Sequence, residues 1–129
     1  MILYVRHDMY RWFFCTSSAR DQINLSGTNL IPADGLWHHY VATYDGANWK
    51  IYTDGTLRNT FARAGTIAPS TKIRLGSHTS PSSYRSGANC WQSDTRIYAT
   101  AFTAEEVADL YRTSMNVDSS GNISARILT

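Results

Sequence analysis

The sequence predicts an antiparallel all-β domain, and three observations carry that prediction. Asp45-Gly46 and Asp54-Gly55 each join runs rich in β-branched and aromatic residues, a strong hairpin signal because Gly tolerates the positive φ of such turns. Tyr, Trp and Thr are frequent while Glu and Lys are scarce, which favours strands over helices. Turn-forming residues recur at intervals of roughly 8–12 residues, as in β-sandwiches and barrels.

The strand-forming runs follow one another along the chain. The predicted strands are Ile2–Val5, Tyr10–Thr16, Gln22–Ser26, His38–Tyr44, Asn48–Asp54, Thr56–Ala62, Thr71–Ser77, Cys90–Ala99 and Ile123–Leu128. Gly27–Gly35 is predicted to be a loop because it contains Pro32 and Asp34-Gly35. Ser77–Asn89 is the longest irregular segment, and loops of this length in compact domains are often functional.

One helix is predicted near the C-terminus. Thr103 and Glu106 have the spacing of a capping box, in which each side chain bonds the backbone N–H of the other residue. Val107, Leu110 and Tyr111 then form one apolar stripe that can pack on a sheet. The helix is expected to end near Arg112, where a cation suits the helix dipole.

Length and charge limit the classes of protein that fit. At 129 residues the chain is large enough for one core, and we divide it into a β domain over residues 1–113 and a C-terminal turn and strand, or tail, over 114–129. Its net charge is +2 and its basic residues are evenly spread, which argues against a nucleic-acid partner. No apolar run reaches the ~18–20 residues of a membrane helix, so no membrane partner is expected.

The two cysteines leave the redox compartment open. Cys15 and Cys90 could form a disulfide if their strands are neighbours, or could be two buried thiols.

A series of segments in the middle of the chain resembles laminin-G-like domains. The segments, in order, are Trp37–Ala42, Tyr44–Gly46, Ile51–Gly55, Lys72–Gly76, Thr95–Tyr98, Ala101–Thr103 and Glu105–Tyr111. This resemblance implies an antiparallel jelly-roll β-sandwich of the concanavalin A-like class with one short C-terminal helix. It also places Trp37, Val41 and Tyr44 in the core.

Two features depart from that family. Only Asp94 remains of the acidic pair that precedes the family's closing strand. The family's first strands also have no counterpart before Ile2, so we expect an open sheet edge, which must be paired or protected. Ile123–Leu128, a neighbouring chain or an upstream segment could cover it. The tail Val117–Ala125 is similar to segments that end domains in phage tail and fibre proteins, which suggests a phage-like structural protein.

The sequence argues against an enzyme. Glycan hydrolases need two carboxylates that flank the scissile bond. The two glutamates, Glu105 and Glu106, belong to the helix N-terminus, and Asp94 has no acidic partner two residues on. The remaining aspartates near Gly are the ordinary turn-forming use of Asp; they are Asp34, Asp45, Asp54 and Asp118.

Metal binding has little support in the sequence. His38 and His39 point to opposite faces of a strand, so we interpret both as structural, and His7 and His78 are isolated. Calcium could use Asp45, Asp94 and Asp118, but these carboxylates are scattered. We therefore expect no cofactor, with Ca²⁺ as the one open alternative.

The sequence favours a function in non-catalytic binding of a glycan or a cell-surface protein by the loop rim. Aromatic rings can stack on sugars while polar side chains bind the hydroxyls. The predicted ligand-binding residues are His78, Tyr84, Arg85, Asn89, Trp91 and Trp49. Trp91 could instead belong to the core. The alternative function is a purely structural module that forms homo-oligomers through the open edge. Either function implies an extracellular or virion-associated protein.

Overall fold

A computed structural model describes residues 5–6, 11–15, 20–24, 34–62, 64–66 and 91–115. The chain divides into two compact units. One comprises Met1–Asn29 and Gly65–Ile97, and the other comprises Leu30–Ala64 and Tyr98–Thr129.

The first unit contains a three-stranded antiparallel sheet. Its strands are β1 (Val5–Arg6), β2 (Arg11–Cys15) and β3 (Arg20–Asn24), in the spatial order β1-β2-β3. Trp12 lies opposite Ile23 in the register of β2 and β3. The predicted strands Tyr10–Thr16 and Gln22–Ser26 are confirmed within the described residues, although β3 begins two residues earlier than the sequence pattern suggests. The predicted strand Ile2–Val5 shares Val5 with β1, and its other residues lie outside the described part of the chain.

The second unit contains a three-stranded antiparallel meander. Its strands are β4 (Tyr40–Tyr44), β5 (Asn48–Thr53) and β6 (Thr56–Ala62). Tyr44 pairs with Trp49 across the first hairpin, and Thr53 pairs with Thr56 across the second. A bulge interrupts the β5–β6 register at Ile51 and Tyr52. All three predicted strands are confirmed, but β4 begins at Tyr40, two residues later than predicted.

Both predicted Asp-Gly turns are present, with different geometry. Asp45 closes the β4–β5 turn by accepting from the backbone N–H groups of Ala47 (2.9 Å) and Asn48 (2.6 Å), and Gly46 has φ 94°. In the two-residue β5–β6 loop, Asp54 (φ 51°) and Gly55 (φ 72°) both have positive φ. Positive φ at both central residues is the type I′ arrangement, which matches the twist of the flanking strands.

The core described in the second unit is formed by β5 and the helix. Trp49, Ile51, Tyr52 and Val107 are each at most 1% exposed. The prediction that Trp49 offers an exposed ring is therefore wrong. Its ring stacks on Tyr44, with 4.4 Å between the ring centroids, because the tight turn brings these paired side chains to the same face of the sheet.

The prediction that Trp37 lies in the core is also wrong. Trp37 is 49% exposed and precedes the first paired residue of β4 by three positions. Because Trp37 lies outside the strand ladder, it has no fixed place on a face of the sheet.

The helix α1 spans Ala104–Ser114 and begins at the predicted capping box. The Thr103 N–H donates to Glu106 Oε2 (2.7 Å), and the Glu106 N–H donates to Thr103 Oγ1 (3.2 Å). The helix ends two residues beyond Arg112 and buries Val107 from the predicted stripe.

The helix packs closely on the β5–β6 turn. A Cβ atom at Gly55 would lie 3.1 Å from Tyr111 Cδ1 and 3.3 Å from the Cα of Ala108. The turn therefore needs Gly for two reasons, its positive φ and its contact with the helix.

The predicted strand Cys90–Ala99 is not confirmed, because residues 91–98 are not in a strand. Asp94 has φ 50°, outside the extended region, and its carboxylate binds the side chain of Arg96. The predicted strands Thr71–Ser77 and Ile123–Leu128 lie outside the described residues, as does Cys90. Within the described ranges, no helix has the length and apolar character needed to cross a membrane.

Candidate functional site

The predicted ligand-binding residues divide into three groups. His78, Tyr84, Arg85 and Asn89 lie outside the described residues. Trp49 is buried and cannot offer its ring to a ligand. Trp91 is 89% exposed, so of its two predicted roles it does not take the core role in the described structure.

Trp91 begins an exposed segment, Trp91–Ile97, which we call the Trp91 segment. All seven of its residues are exposed, and Ile97 is 59% exposed. Arg96 and Asp94 form a bidentate ion pair, with Nε to Oδ1 at 2.8 Å and Nη2 to Oδ2 at 2.7 Å. The segment thus offers one large aromatic ring and one oriented charged pair, the two kinds of group that recognise a polar ligand with an apolar face.

A second cluster of functional side chains lies at the start of β4. His38 Nδ1 is 2.8 Å from Asp54 Oδ2, and His38 Nε2 is 3.0 Å from Asp34 Oδ1. We call these three residues the His38 bridge. Asp54 Oδ1 also accepts from the backbone N–H of His39 (2.9 Å), and the Asp54 N–H donates to the His39 carbonyl. These bonds fix residues 34–39 to the β5–β6 turn.

The His38 bridge has a definite electrostatic character. Burial lowers the pKa of His38, but the hydrogen bonds that its ring donates to Asp34 and Asp54 outweigh burial and leave that pKa raised. The hydrogen bond from His38 lowers the pKa of Asp34. Burial raises the pKa of Tyr40, and the charges of Asp54 and Asp34 raise it further.

The sequence interpretation treated Asp34 and Asp54 as ordinary turn residues and missed this bridge. Counting back from the β4–β5 turn, where Tyr44 pairs with Trp49, places His39 opposite Asp54. The hairpin register was therefore the feature of the sequence that could have placed Asp54 beside His38 and His39. The interpretation of His38 and His39 as structural agrees with the geometry, since His38 binds the two carboxylates while the ring of His39 lies 6.0 Å from that of Tyr111.

The described residues contain no group of three or more His, Cys, Asp or Glu side chains arranged to hold a metal ion. Asp45 accepts from the backbone of its own turn and Asp94 binds Arg96, so both carboxylates already have partners. The third calcium candidate, Asp118, lies outside the described residues, so the absence of a cofactor stays a prediction and calcium stays its open alternative.

Two antiparallel three-stranded sheets and one capped helix near the C-terminus make the described part of the chain a predominantly antiparallel β structure. The chain belongs to the concanavalin A-like lectin/glucanases superfamily, since a laminin-G-type model of that superfamily matches residues 1–108. This confirms the predicted fold class.

One solved structure is similar to this chain. It is the crystal structure of residues 221–444 of an S-layer domain-containing protein from Clostridium thermocellum ATCC 27405. The match has a TM-score of 0.54 and 20% sequence identity, and it covers 78% of this chain and 49% of the other. The chain thus spans about half the length of that structure, and the likeness concerns the fold. No curated protein matches the sequence.

Proposed function

We propose that the protein is a non-catalytic extracellular module that binds glycans through the Trp91 segment and the adjoining 77–89 loop. The observation that carries the proposal is the 89% exposure of Trp91. An exposed indole ring is accessible to a ligand, and it combines a large apolar face with a polar N–H group. Sugars offer apolar C–H faces that match an indole ring.

The polar groups that a sugar site needs beside such a ring lie close to Trp91 in the sequence. Arg96 and Asp94 hold each other in a fixed geometry, so these two charged side chains are oriented before a ligand arrives. Pre-orientation lowers the entropic cost of binding. His78, Tyr84, Arg85 and Asn89 are proposed to supply further contacts from the loop.

Hydrolysis is not part of the proposal. Among the described carboxylates, Glu106 is bound in the helix cap, Asp94 by Arg96, and Asp34 and Asp54 by His38. A general acid and base must instead flank a substrate across a cleft.

The extracellular location is supported by the superfamily and by the S-layer domain-containing protein that shares the fold. Attachment to a virion or phage tail depends only on the resemblance of the tail segment. It is a narrower proposal within the same location.

A glycan array followed by titration calorimetry of the best ligand tests the proposal. We expect Trp91→Ala to weaken binding at least tenfold, about 1.4 kcal/mol, as for an aromatic residue at the centre of a binding site. Trp91→Phe should retain part of the affinity, and Tyr84→Ala should weaken it. The matched control is Leu36→Ala, which removes another large exposed apolar side chain, 72% exposed, in the other unit.

Two results would contradict glycan binding through the Trp91 segment. One is equal affinity of the Trp91→Ala and Leu36→Ala variants. The other is an empty array together with a concentration-dependent dimer or trimer in light scattering, which would favour the structural module that assembles through a sheet edge.

A further inference from the structure

The distances within the His38 bridge determine the protonation state that His38 must have. Both ring nitrogens lie within hydrogen-bond distance of carboxylate oxygens, at 2.8 Å to Asp54 and 3.0 Å to Asp34. An ionised carboxylate can only accept hydrogen bonds, and a neutral imidazole can donate only one. Both bonds exist together only when His38 is an imidazolium.

When His38 loses a proton, one of its two bonds must be lost. The Asp54 side chain is 23% exposed and also accepts from the His39 N–H, whereas the Asp34 side chain is 42% exposed. Water can replace His38 at Asp34 more easily than at Asp54, because the Asp34 carboxylate is more accessible. The neutral ring should therefore keep its proton on Nδ1 and release Asp34.

The bond to Asp34 closes a short loop that contains exposed apolar side chains. Leu36 is 72% exposed and Trp37 is 49% exposed, and both lie between Asp34 and His38 in the sequence. The remaining bond described within this loop is from the Leu36 N–H to Asp34 Oδ1 (3.0 Å), which does not join the loop to β4.

We propose that His38 is a pH-sensitive switch in which deprotonation releases Asp34 and frees the loop that presents Leu36 and Trp37. In mildly acidic solution both bonds form and the loop is fixed to the β5–β6 turn. As the pH rises from neutral to mildly alkaline, the loop opens while Asp54 and His38 stay together.

The charges around His38 support this direction. Among the described residues, the titratable groups that face the bridge are Asp34 on the loop, Asp54 on the turn, Tyr40 on β4 and Tyr111 on α1. Burial raises the pKa of Tyr111, and Asp54 raises it further. Burial likewise raises the pKa of Tyr40, so both phenols stay neutral while His38 titrates. The two carboxylates outweigh burial and raise the pKa of His38, so the switch operates above the ordinary histidine range.

The proposal can be tested by NMR on the whole chain, with the imidazole nitrogens labelled and the tryptophans replaced by 5-fluorotryptophan. Trp37→Phe assigns the Trp37 fluorine signal. We expect that signal to move with pH, with the same midpoint as His38 and above the ordinary histidine value. The neutral ring should show its proton on Nδ1.

Asp34→Asn tests the mechanism, because an amide has the same shape but not the charge. It should lower the His38 midpoint and make the Trp37 signal nearly independent of pH. Asp45→Asn is the matched control, since Asp45 is also an exposed turn aspartate but binds no histidine. The proposal is overturned if the Trp37 signal of the native chain is flat across the His38 titration, or if Asp34→Asn changes it no more than Asp45→Asn does.

Discussion

The two Asp-Gly turns of the meander have the same dipeptide and different structural roles. The Asp45 carboxylate accepts from the N–H groups of Ala47 and Asn48 and pairs with Lys50 of the same hairpin (3.9 Å), and a Cβ at Gly46 would meet nothing within 4 Å. The Asp54 carboxylate binds His38 and the His39 N–H, and Gly55 lies against the helix. The first turn closes a hairpin, while the second joins the hairpin to a loop and to α1. A strong local turn signal therefore does not reveal how much tertiary structure depends on the turn.

The largest expected difference between the turns is at their glycines. Gly55→Ala should lower the free energy of unfolding by about 3 kcal/mol, because it adds left-handed strain and a contact with the backbone of the helix. Gly46→Ala should cost only the strain, about 1 kcal/mol. Urea denaturation of both variants measures the difference. Equal losses would show that α1 does not press on the second turn.

The second-largest expected difference in stability between the turns is at their aspartates, Asp54 and Asp45. Asp54→Asn keeps the turn conformation, since Asn tolerates positive φ, but it removes the charged partner of His38. We expect a loss of about 2 kcal/mol, the range of a hydrogen bond between charged groups. Asp45→Asn retains an oxygen that can accept from Ala47 and Asn48, so its loss in the same denaturation experiment should be smaller. A larger loss for Asp45→Asn would contradict the assignment of roles.

The sequence predicted the parts of the second unit that depend on local chemistry. The turns, β6 and the capping box follow from the side chains that form them, and the structure has them where predicted. The His38 bridge was missed because its partners are 16 and 4 residues from His38, although the hairpin register placed His39 beside Asp54.

Burial was harder to predict than the strands. Trp49 was expected to be exposed and is buried, whereas Trp37 was expected in the core and is half exposed. Burial depends on what covers each face of the sheet and on where strand pairing begins. Cys90–Ala99 was predicted to be a strand, but the left-handed backbone of Asp94 interrupts the extended conformation.

A smaller effect tests whether α1 supports only the second turn. Thr103→Ala removes one half of the capping box and should cost about 1 kcal/mol. Amide exchange should then quicken at Gly55, which packs on the helix, and not at Gly46. Thr113→Ala is the matched control at the other end of the helix, where the hydroxyl bonds only to helix carbonyls. Equal changes at the two glycines would mean that the sheet responds to α1 as a whole.

The smallest and most specific difference between the two turns is how the stability of each depends on pH. Hydrogen bonds from His38 lower the pKa of Asp34, and those from Ala47 and Asn48 lower that of Asp45. A carboxyl group with a lowered pKa stabilises the fold above its unfolded value, about 3.9, and loses that contribution as the pH falls through its folded pKa. The β4–β5 turn and the bond between Asp34 and His38 therefore both weaken in acid.

Only the second turn should also weaken in alkali. Burial lowers the pKa of His38, but the hydrogen bonds that its ring donates to Asp34 and Asp54 outweigh burial, so that pKa is raised. Its contribution is complete below the unfolded histidine value of about 6.5 and is lost as the pH rises through the folded pKa. Thermal unfolding from pH 4 to pH 9 should show a decline in stability above about pH 6.5 that His38→Gln removes and Asp45→Asn leaves in place. If the decline survives His38→Gln, another group causes it, and the two turns respond to pH in the same way.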